Sequence, residues 1–316
     1  MARTLLHQGE FHLPVLVEEI AGYLLQPSTR VIVDATLGDG GHSLAMLERG
    51  ELQLKIIGLD VDPESLKIAQ QRLAQFESRC SLIKGNFRRI ASLLASVGVA
   101  TVDGILADLG ISSRQIDVPE RGLSYLEEGP LDLRLDPSLP DTAAELIATL
   151  EQDQLVCLLR NYGEEQRAKP IARAIVKERS ARAIGTSTAL RKIIEGVVRG
   201  PLQIKSVARV FQALRIAVND ELGALREFLQ QAFAVLAPNG RLCVISYHSL
   251  EDRMVKEFFR GVAKACTCPP EFPVCVCGKK SEAIVLTSKP ITPSAEEIKR
   301  NSRARSAKLR VLQKRV

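Results

Sequence analysis

Five short runs rich in apolar, β-favouring residues recur along the chain, at 31–35, 55–60, 81–84, 102–108 and 241–246, and helical spacing separates the first four. Strand and helix in alternation restrict a chain to a mainly parallel sheet. Parallel neighbours need a crossover long enough for a helix, and each helix must cover a face. The second run ends in Asp60 and is followed by Asp62-Pro63, an N-cap acid with proline at the first helical position, and then by Leu66, Ala69 and Leu73 at helical spacing. Residues 31–76 therefore read as strand, glycine turn, helix, strand, helix.

The alternation stops after Asp108. Between Asp141 and Val218, TAAELIATLEQDQLVCLLR and TALRKIIEGVVR place apolar residues three and four apart, with no strand pattern. The expected organisation is a discontinuous α/β domain, 1–114 with 213–316, carrying an all-helical insertion at 115–212. An insertion there leaves from the carboxyl ends of the strands, where such sheets bind ligands, so its expected role is to cover or recognise a substrate.

With 316 residues, 46% hydrophobic and 25% charged, the chain has the composition of a soluble globular protein of one large domain or two. No apolar run approaches the roughly 18 residues of a membrane span, and residues 1–26 lack the parts of a signal peptide. A cytoplasmic location without a membrane partner is expected; monomer and homodimer both stay open. Net charge is +6, and 299–315 holds Lys299, Arg300, Arg303, Arg305, Lys308, Arg310, Lys314 and Arg315 with no acid. This reads as a phosphate-binding tail, the alternative being a solvated terminal helix or disordered end.

Of seven cysteines, Cys80, Cys157 and Cys243 sit in apolar surroundings and read as reduced core thiols. Cys266, Cys268, Cys275 and Cys277 form a C-x-C-x6-C-x-C set. Such thiols in a cytoplasmic protein suggest zinc before disulfides, yet each pair has a single intervening residue where the usual knuckle has two. Pro269, Pro270 and Pro273 can hold a rigid turn. A loop without metal is the expectation, with structural zinc as the alternative and no metal in the reaction.

In DATLGDGGHS, Gly38, Gly40 and Gly41 let a ligand approach the main chain at the start of a helix. Asp60, 22 residues beyond Gly38, is placed to accept hydrogen bonds from ribose hydroxyls. Adjoining glycines followed by His42 break the G-x-G-x-x-G spacing and disfavour a dinucleotide. Asp39 suits pyrophosphate badly but tolerates a ligand with a cationic centre and an ammonium group, as in S-adenosylmethionine. Asp34 at the lip of the loop suits that ammonium, or caps the turn. Phe87, after the third run, lies where an adenine would, or packs in the core. For the loop itself the alternative is a tight turn that needs glycine only for its backbone.

DGILADLGISS delivers Asp108 to the carboxyl edge, as a candidate acceptor for a nucleophilic amine or as a loop cap. VISYHSLEDR brings Tyr247 and His248 beside it, with Ser249 as the expected N-cap and Asp252 at the capping-box position. Asp108, Tyr247 and His248 are the catalytic candidates. In KSVARVFQALRIAVND, Gln212, Arg215 and Asn219 form a polar stripe facing away from Phe211, Leu214 and Val218; it reads as a contact for RNA or the cofactor pocket, or as a solvated face.

HLPVLVEEI, DATLGDGGHS, GLDVDP, GNF, DGILADLGISSRQID, RGLSY, LDLRLDP, YGEEQRAKPIARAI, FQALRIAVNDEL, GRLCVISYHSLEDR and RSAKLRV together resemble, in order and over nearly the whole chain, the bacterial 16S ribosomal RNA cytosine-N4-methyltransferases. The resemblance implies a class I S-adenosylmethionine-dependent methyltransferase sheet, Rossmann-like, with an inserted helical domain. It implies methylation of the exocyclic amine of a cytidine in the decoding region, with 16S ribosomal RNA in the small subunit as partner. Carried over by motif, Gly40, Gly41, His42, Asp60, Phe87, Asp108 and Gln115 are the implied cofactor contacts. Lys205-Ser206 and Asn301-Ser302 depart from the family's usual His-Pro and Asn-Pro. Both lie outside the cofactor motifs. Glycine spacing argues against a nicotinamide oxidoreductase, and intact Gly40, Gly41, Asp60 and Asp108 against a decayed RNA-binding factor. A small-molecule methyltransferase would need neither the insertion nor the basic tail.

Overall fold

The computed structural model describes residues 13–266, 268 and 277–316. One sheet contains β1 (Val31–Asp34), β2 (Lys55–Asp60), β3 (Cys80–Lys84), β4 (Val102–Asp108), β5 (Leu236–Ser246), β6 (Ala283–Val285) and β7 (Lys308–Lys314). Their order is β3-β2-β1-β4-β5-β7-β6. The first five pair in parallel, and β7 runs antiparallel between β5 and β6. This is a class I methyltransferase sheet, with helices on both faces. Its period of two explains the unbroken apolar runs: Val33, Ile57, Ile105 and Val244 enter one core while Ile32, Ile56, Leu106 and Ile245 enter the other.

The chain divides into two compact units, Met1–Gly110 with Ala224–Val316, and Ile111–Gly223. The second begins and ends outside the 115–212 read from sequence. A boundary at 212 would cut the helix Gln203–Asn219, which runs unbroken to a left-handed C-cap at Asp220. Among the described residues this unit has helices and no named strand. Its core is built by Leu155, Leu159, Ile171, Ile175, Leu190, Ile194, Val210 and Leu214, at the helical spacing the sequence shows. Thr142 with Glu145, and Glu151 with Gln154, form capping boxes at two of the helix starts.

The stripe Gln212, Arg215, Asn219 is not a solvated face. Gln212 donates to the Tyr162 carbonyl at 3.1 Å, and Arg215 makes a two-pronged pair with Glu221 at 2.7 and 2.9 Å. Asn219 donates to the Leu133 carbonyl and accepts from the Leu135 N–H. Polar groups at helical spacing here fasten the 130s segment and the helix ends within the same unit.

The tail also differs from its reading. Lys308–Lys314 is a central strand, in register with β5 from Arg241↔Gln313 to Ser246↔Lys308. Leu309, Val311 and Leu312 are fully buried, and Arg310 is 7% exposed with its Nε 2.6 Å from Asp252 Oδ1. Lys314 donates to the carbonyls of Phe233, Ala234 and Leu236. Lys299, Arg300, Arg303 and Arg305 before the strand, and Arg315 after it, are exposed.

Of the three cysteines expected in the core, Cys243 is buried, Cys80 half-buried and Cys157 exposed. Cys157 sits on the outer side of a helix whose apolar run, Leu155 to Leu159, is wider than its buried stripe. No helix among the described residues is long and apolar enough to cross a membrane.

Candidate active site

Three parallel strands end in an acid at the same edge of the sheet: β1 at Asp34, β2 at Asp60 and β4 at Asp108. Register enforces this, because Asp34 lies level with Gly58 and Leu106, and Asp108 with Ile245 of β5. Beyond Asp34 the chain turns through Gly38 and Gly40, at φ 52° and 78°, a region that disfavours side chains. Gly40 is the N-cap of the helix Gly41–Arg49. A side chain at Gly38 would meet nothing within 4 Å, so the loop borders open space there, whereas one at Gly41 would press on Pro14 at 3.3 Å.

Asp60 pins this loop. Its Oδ2 accepts the Gly38 N–H at 2.8 Å and its Oδ1 the Asp62 N–H at 2.8 Å. Each carboxylate oxygen has a second lone pair, so capacity for ribose hydroxyls remains. Burial raises the Asp60 pKa to about 6, although the hydrogen bonds from Asp62 and Gly38 lower it.

Asp34 does not stand at the lip of the loop. It is 1% exposed, and its Oδ2 accepts the Ser43 hydroxyl at 2.7 Å. Burial raises its pKa above the ordinary value, against the lowering effects of His42 and Ser43. Its buried Oδ1 makes no well-formed hydrogen bond to a described residue. A buried acid with an unsatisfied oxygen calls for a donor, and a cationic donor best.

Asp108 is the centre of the most connected group. Its N–H donates to Thr36 Oγ1 at 2.6 Å, Tyr247 donates its hydroxyl to Oδ1 at 2.8 Å, and Oδ2 lies 3.8 Å from His42 Nδ1. His42 Nε2 is 2.8 Å from the Val15 carbonyl, which can only accept, so that nitrogen is assigned the proton. His42 Nδ1 is the ring nitrogen that faces Asp108. Burial lifts the Asp108 pKa to about 6; His42 and the Tyr247 hydrogen bond lower it, and the Asp34 and Glu251 charges add to the rise. Burial also pushes the Tyr247 phenol well above its usual value, with the Asp108 charge adding to it. Tyr247 is thus tied to Asp108 through its hydroxyl.

His248 has a different position from the one the sequence suggests. It is itself the N-cap of the helix Ser249–Ala263, with Glu251 at N3 in place of the expected Ser249 and Asp252. Glu251 Oε2 accepts the Tyr247 and His248 N–H groups at 2.9 and 3.3 Å. The ring's Nδ1 faces the Glu251 N–H at 3.4 Å and its Nε2 lies 3.2 Å from Glu251 Oε1. The longer acid reaches back where aspartate would not, which moves the cap by one residue. Asp252 is thereby released to pair with Arg310.

Phe87 is partly buried and meets Phe228 edge to face, ring centroids 5.0 Å apart. Gln115 belongs to the Ile111–Gly223 unit, where it is 7% exposed and completes a capping box with Ser112. The structure thus gathers Gly38, Gly40, Gly41, His42, Asp34, Asp60, Asp108 and Tyr247 around one edge. Sequence reading passed over Thr36, Ser43 and Glu251. Only Glu251 had a local signal, an acid three residues after a residue able to cap.

The family model described as the MraW methylase family matches residues 9–315. The protein named ribosomal RNA small subunit methyltransferase H from Heliobacterium mobile is 46% identical over 307 residues, covering 96% of this chain and 98% of that protein. Its namesake from Carboxydothermus hydrogenoformans is 48% identical over 305 residues, covering 96% and 97%. This chain belongs to the MraW methylase family.

Proposed function

We propose that this protein uses S-adenosylmethionine to methylate the exocyclic N4 amine of a cytidine in the decoding region of 16S ribosomal RNA. The names of the relatives support ribosomal RNA of the small subunit as the substrate class. The observation that carries the chemistry is the row of acids at one sheet edge, with one of them, Asp108, held by Tyr247 and faced by His42.

Asp60 would take the ribose hydroxyls, Asp34 the ammonium group and Phe87 the adenine edge. The turn Gly38–Gly41 would admit the ligand to the main chain, with His42 as a further contact. The fit rests on the open space at Gly38 and the unsatisfied Oδ1 of Asp34. When bound, S-adenosylmethionine supplies an electrophilic methyl group on a positively charged sulfur.

Cytosine N4 is a poor nucleophile because its lone pair is delocalised into the ring. Asp108 Oδ2 accepting an N–H of that amine favours pyramidal nitrogen as its bond to carbon forms, and holding the amine in line supplies much of the remaining acceleration. The nitrogen must lose one proton as it gains the methyl. Asp108 Oδ2 and His42 Nδ1, 3.8 Å apart, are the two atoms able to hold it before solvent does. Tyr247 orients the carboxylate, and His248 with Glu251 sets the turn that carries Tyr247. Recognition of the RNA falls to the Ile111–Gly223 unit and to the exposed Lys299, Arg300, Arg303 and Arg305.

Mass spectrometry of small-subunit RNA from cells with and without this gene tests the reading. One N4-methylated cytidine lost on deletion is expected; an unchanged RNA, or a methyl missing from carbon or ribose instead, overturns it.

A further inference from the structure

Cys266, Cys268 and Cys277 take no part in the chemistry above, yet their sulfurs lie within 4.8 Å of one another. They follow the helix Ser249–Ala263 and precede the edge strand β6. The Cys266 and Cys277 sulfurs are 3.7 Å apart, and the Cys268 N–H points at the Cys266 sulfur at 3.3 Å. Cys275 lies outside the described residues and is not counted among these groups.

The separation discriminates between two chemistries. A disulfide needs about 2.05 Å between sulfurs. Thiolates bound to one tetrahedral zinc at about 2.3 Å stand about 3.8 Å from each other, the edge of that tetrahedron. The observed 3.7 Å is too long for a disulfide and is a thiol–thiol contact at the spacing that a shared zinc requires. The single residue between Cys266 and Cys268, which in the sequence argues against chelation, does not keep their sulfurs apart.

We infer that Cys266, Cys268 and Cys277 are ligands of a structural zinc ion. Sulfur donors select zinc over magnesium or calcium, and each thiol releases its proton to solvent as it binds, so affinity rises with pH. The ion would close the loop between a long helix and a three-residue strand. Beyond Cys277, Lys279 donates to the Gly261 carbonyl at 2.7 Å and the Glu282 N–H to the Val262 carbonyl at 3.0 Å. The metal would therefore secure the end of the helix that begins beside Tyr247, without touching the reacting atoms.

The test is metal analysis of full-length protein, expressed without a metal-binding tag in zinc-containing medium and purified under reducing conditions. About one zinc per chain is expected. Exchange with cobalt should give thiolate-to-metal charge-transfer absorption and the strong visible bands of a tetrahedral site. Cys266→Ser and Cys277→Ser should lose the metal, and chelation should lower the melting temperature while S-adenosylmethionine binding persists. Should the serine variants fail to fold, cobalt titration of the unaltered chain still decides. Protein without metal that takes up no cobalt overturns the inference, as does bound iron, or a Cys266–Cys277 disulfide trapped by alkylation in intact cells.

Discussion

β2 and β7 hold similar places in the sheet, each with a strand on both sides, yet they are built differently. β2 buries Ile56, Ile57 and Leu59 and keeps its acid, Asp60, for the carboxyl end, where the ligand is proposed to bind. β7 buries Leu309, Val311 and Leu312 and places a charge, Arg310, in mid-strand, where Asp252 neutralises it. A charge at the end of a strand is free for chemistry; one in the middle is committed to structure. Their pH behaviour has opposite sign. Arg310 and Lys308 hold the Asp252 pKa below its ordinary value despite burial, so that pair stabilises the fold above the unfolded carboxyl pKa and is lost in acid. Asp60 and Asp108, raised to about 6, favour the fold most when protonated, and that contribution is lost as pH rises through about 6.

The largest expected effect is on the β7 side. Truncation after Glu297 removes the strand between β5 and β6 and strips Leu309, Val311 and Leu312 from two cores. The shortened chain should show no cooperative thermal transition. A truncated protein that melts like the full chain would mean the tail is an appendage after all. Within the strand, Arg310→Met should cost about 3 kcal/mol, the lower end for a broken buried pair, because Lys308 Nζ stays 3.6 Å from Asp252. Denaturant melts should show that loss at pH 7 and less of it in acid, while Lys299→Ala and Arg300→Ala shift stability by no more than about 0.5 kcal/mol.

On the β2 and β4 side, Asp60→Ala should weaken S-adenosylmethionine binding by roughly 1.5–3 kcal/mol, the value of hydrogen bonds to a charged acceptor. Unchanged calorimetric affinity would take Asp60 out of the site. Affinity of the unaltered protein should also fall as pH drops through about 6, where the acid protonates. Asp108→Asn keeps an acceptor for Tyr247 but no titration, so between pH 4 and 7 its stability should fall by on the order of 2 kcal/mol less than that of the unaltered chain. Equal losses in both would show that Asp108 does not carry the raised pKa.

These contrasts also explain what could be read beforehand. β2 and β4 were legible to the residue, because parallel strands covered on both faces are continuous apolar runs bounded by turn residues. Asp62 with Pro63 announced its helix by local chemistry alone. β7 was hidden by its charges: KLRVLQK puts a basic residue at three of seven positions, and the acid that neutralises Arg310 is 58 residues away in the chain. Gln212, Arg215 and Asn219 misled for the same reason, since their partners come from other segments. At the site, Asp60 and Asp108 declared themselves as acids ending strands. The Tyr247 and His42 contacts to Asp108 arise only when distant strands and a helix meet.

His248 carries the smallest expected effect and draws the sharpest line between chemistry and structure. As an N-cap whose ring meets the Glu251 N–H at 3.4 Å, it should contribute about 1 kcal/mol to stability. His248→Ala should lower the unfolding free energy by that amount in denaturant melts, and His248→Asn, a better cap, should restore it. Turnover under conditions where each variant is fully folded should follow the placement of Tyr247, so the asparagine variant should keep most of its kcat. A proton-accepting histidine would give the reverse, with kcat lost in both variants and stability lost only in the alanine. The comparison separates the two roles because asparagine can cap a helix but cannot take a proton near neutral pH.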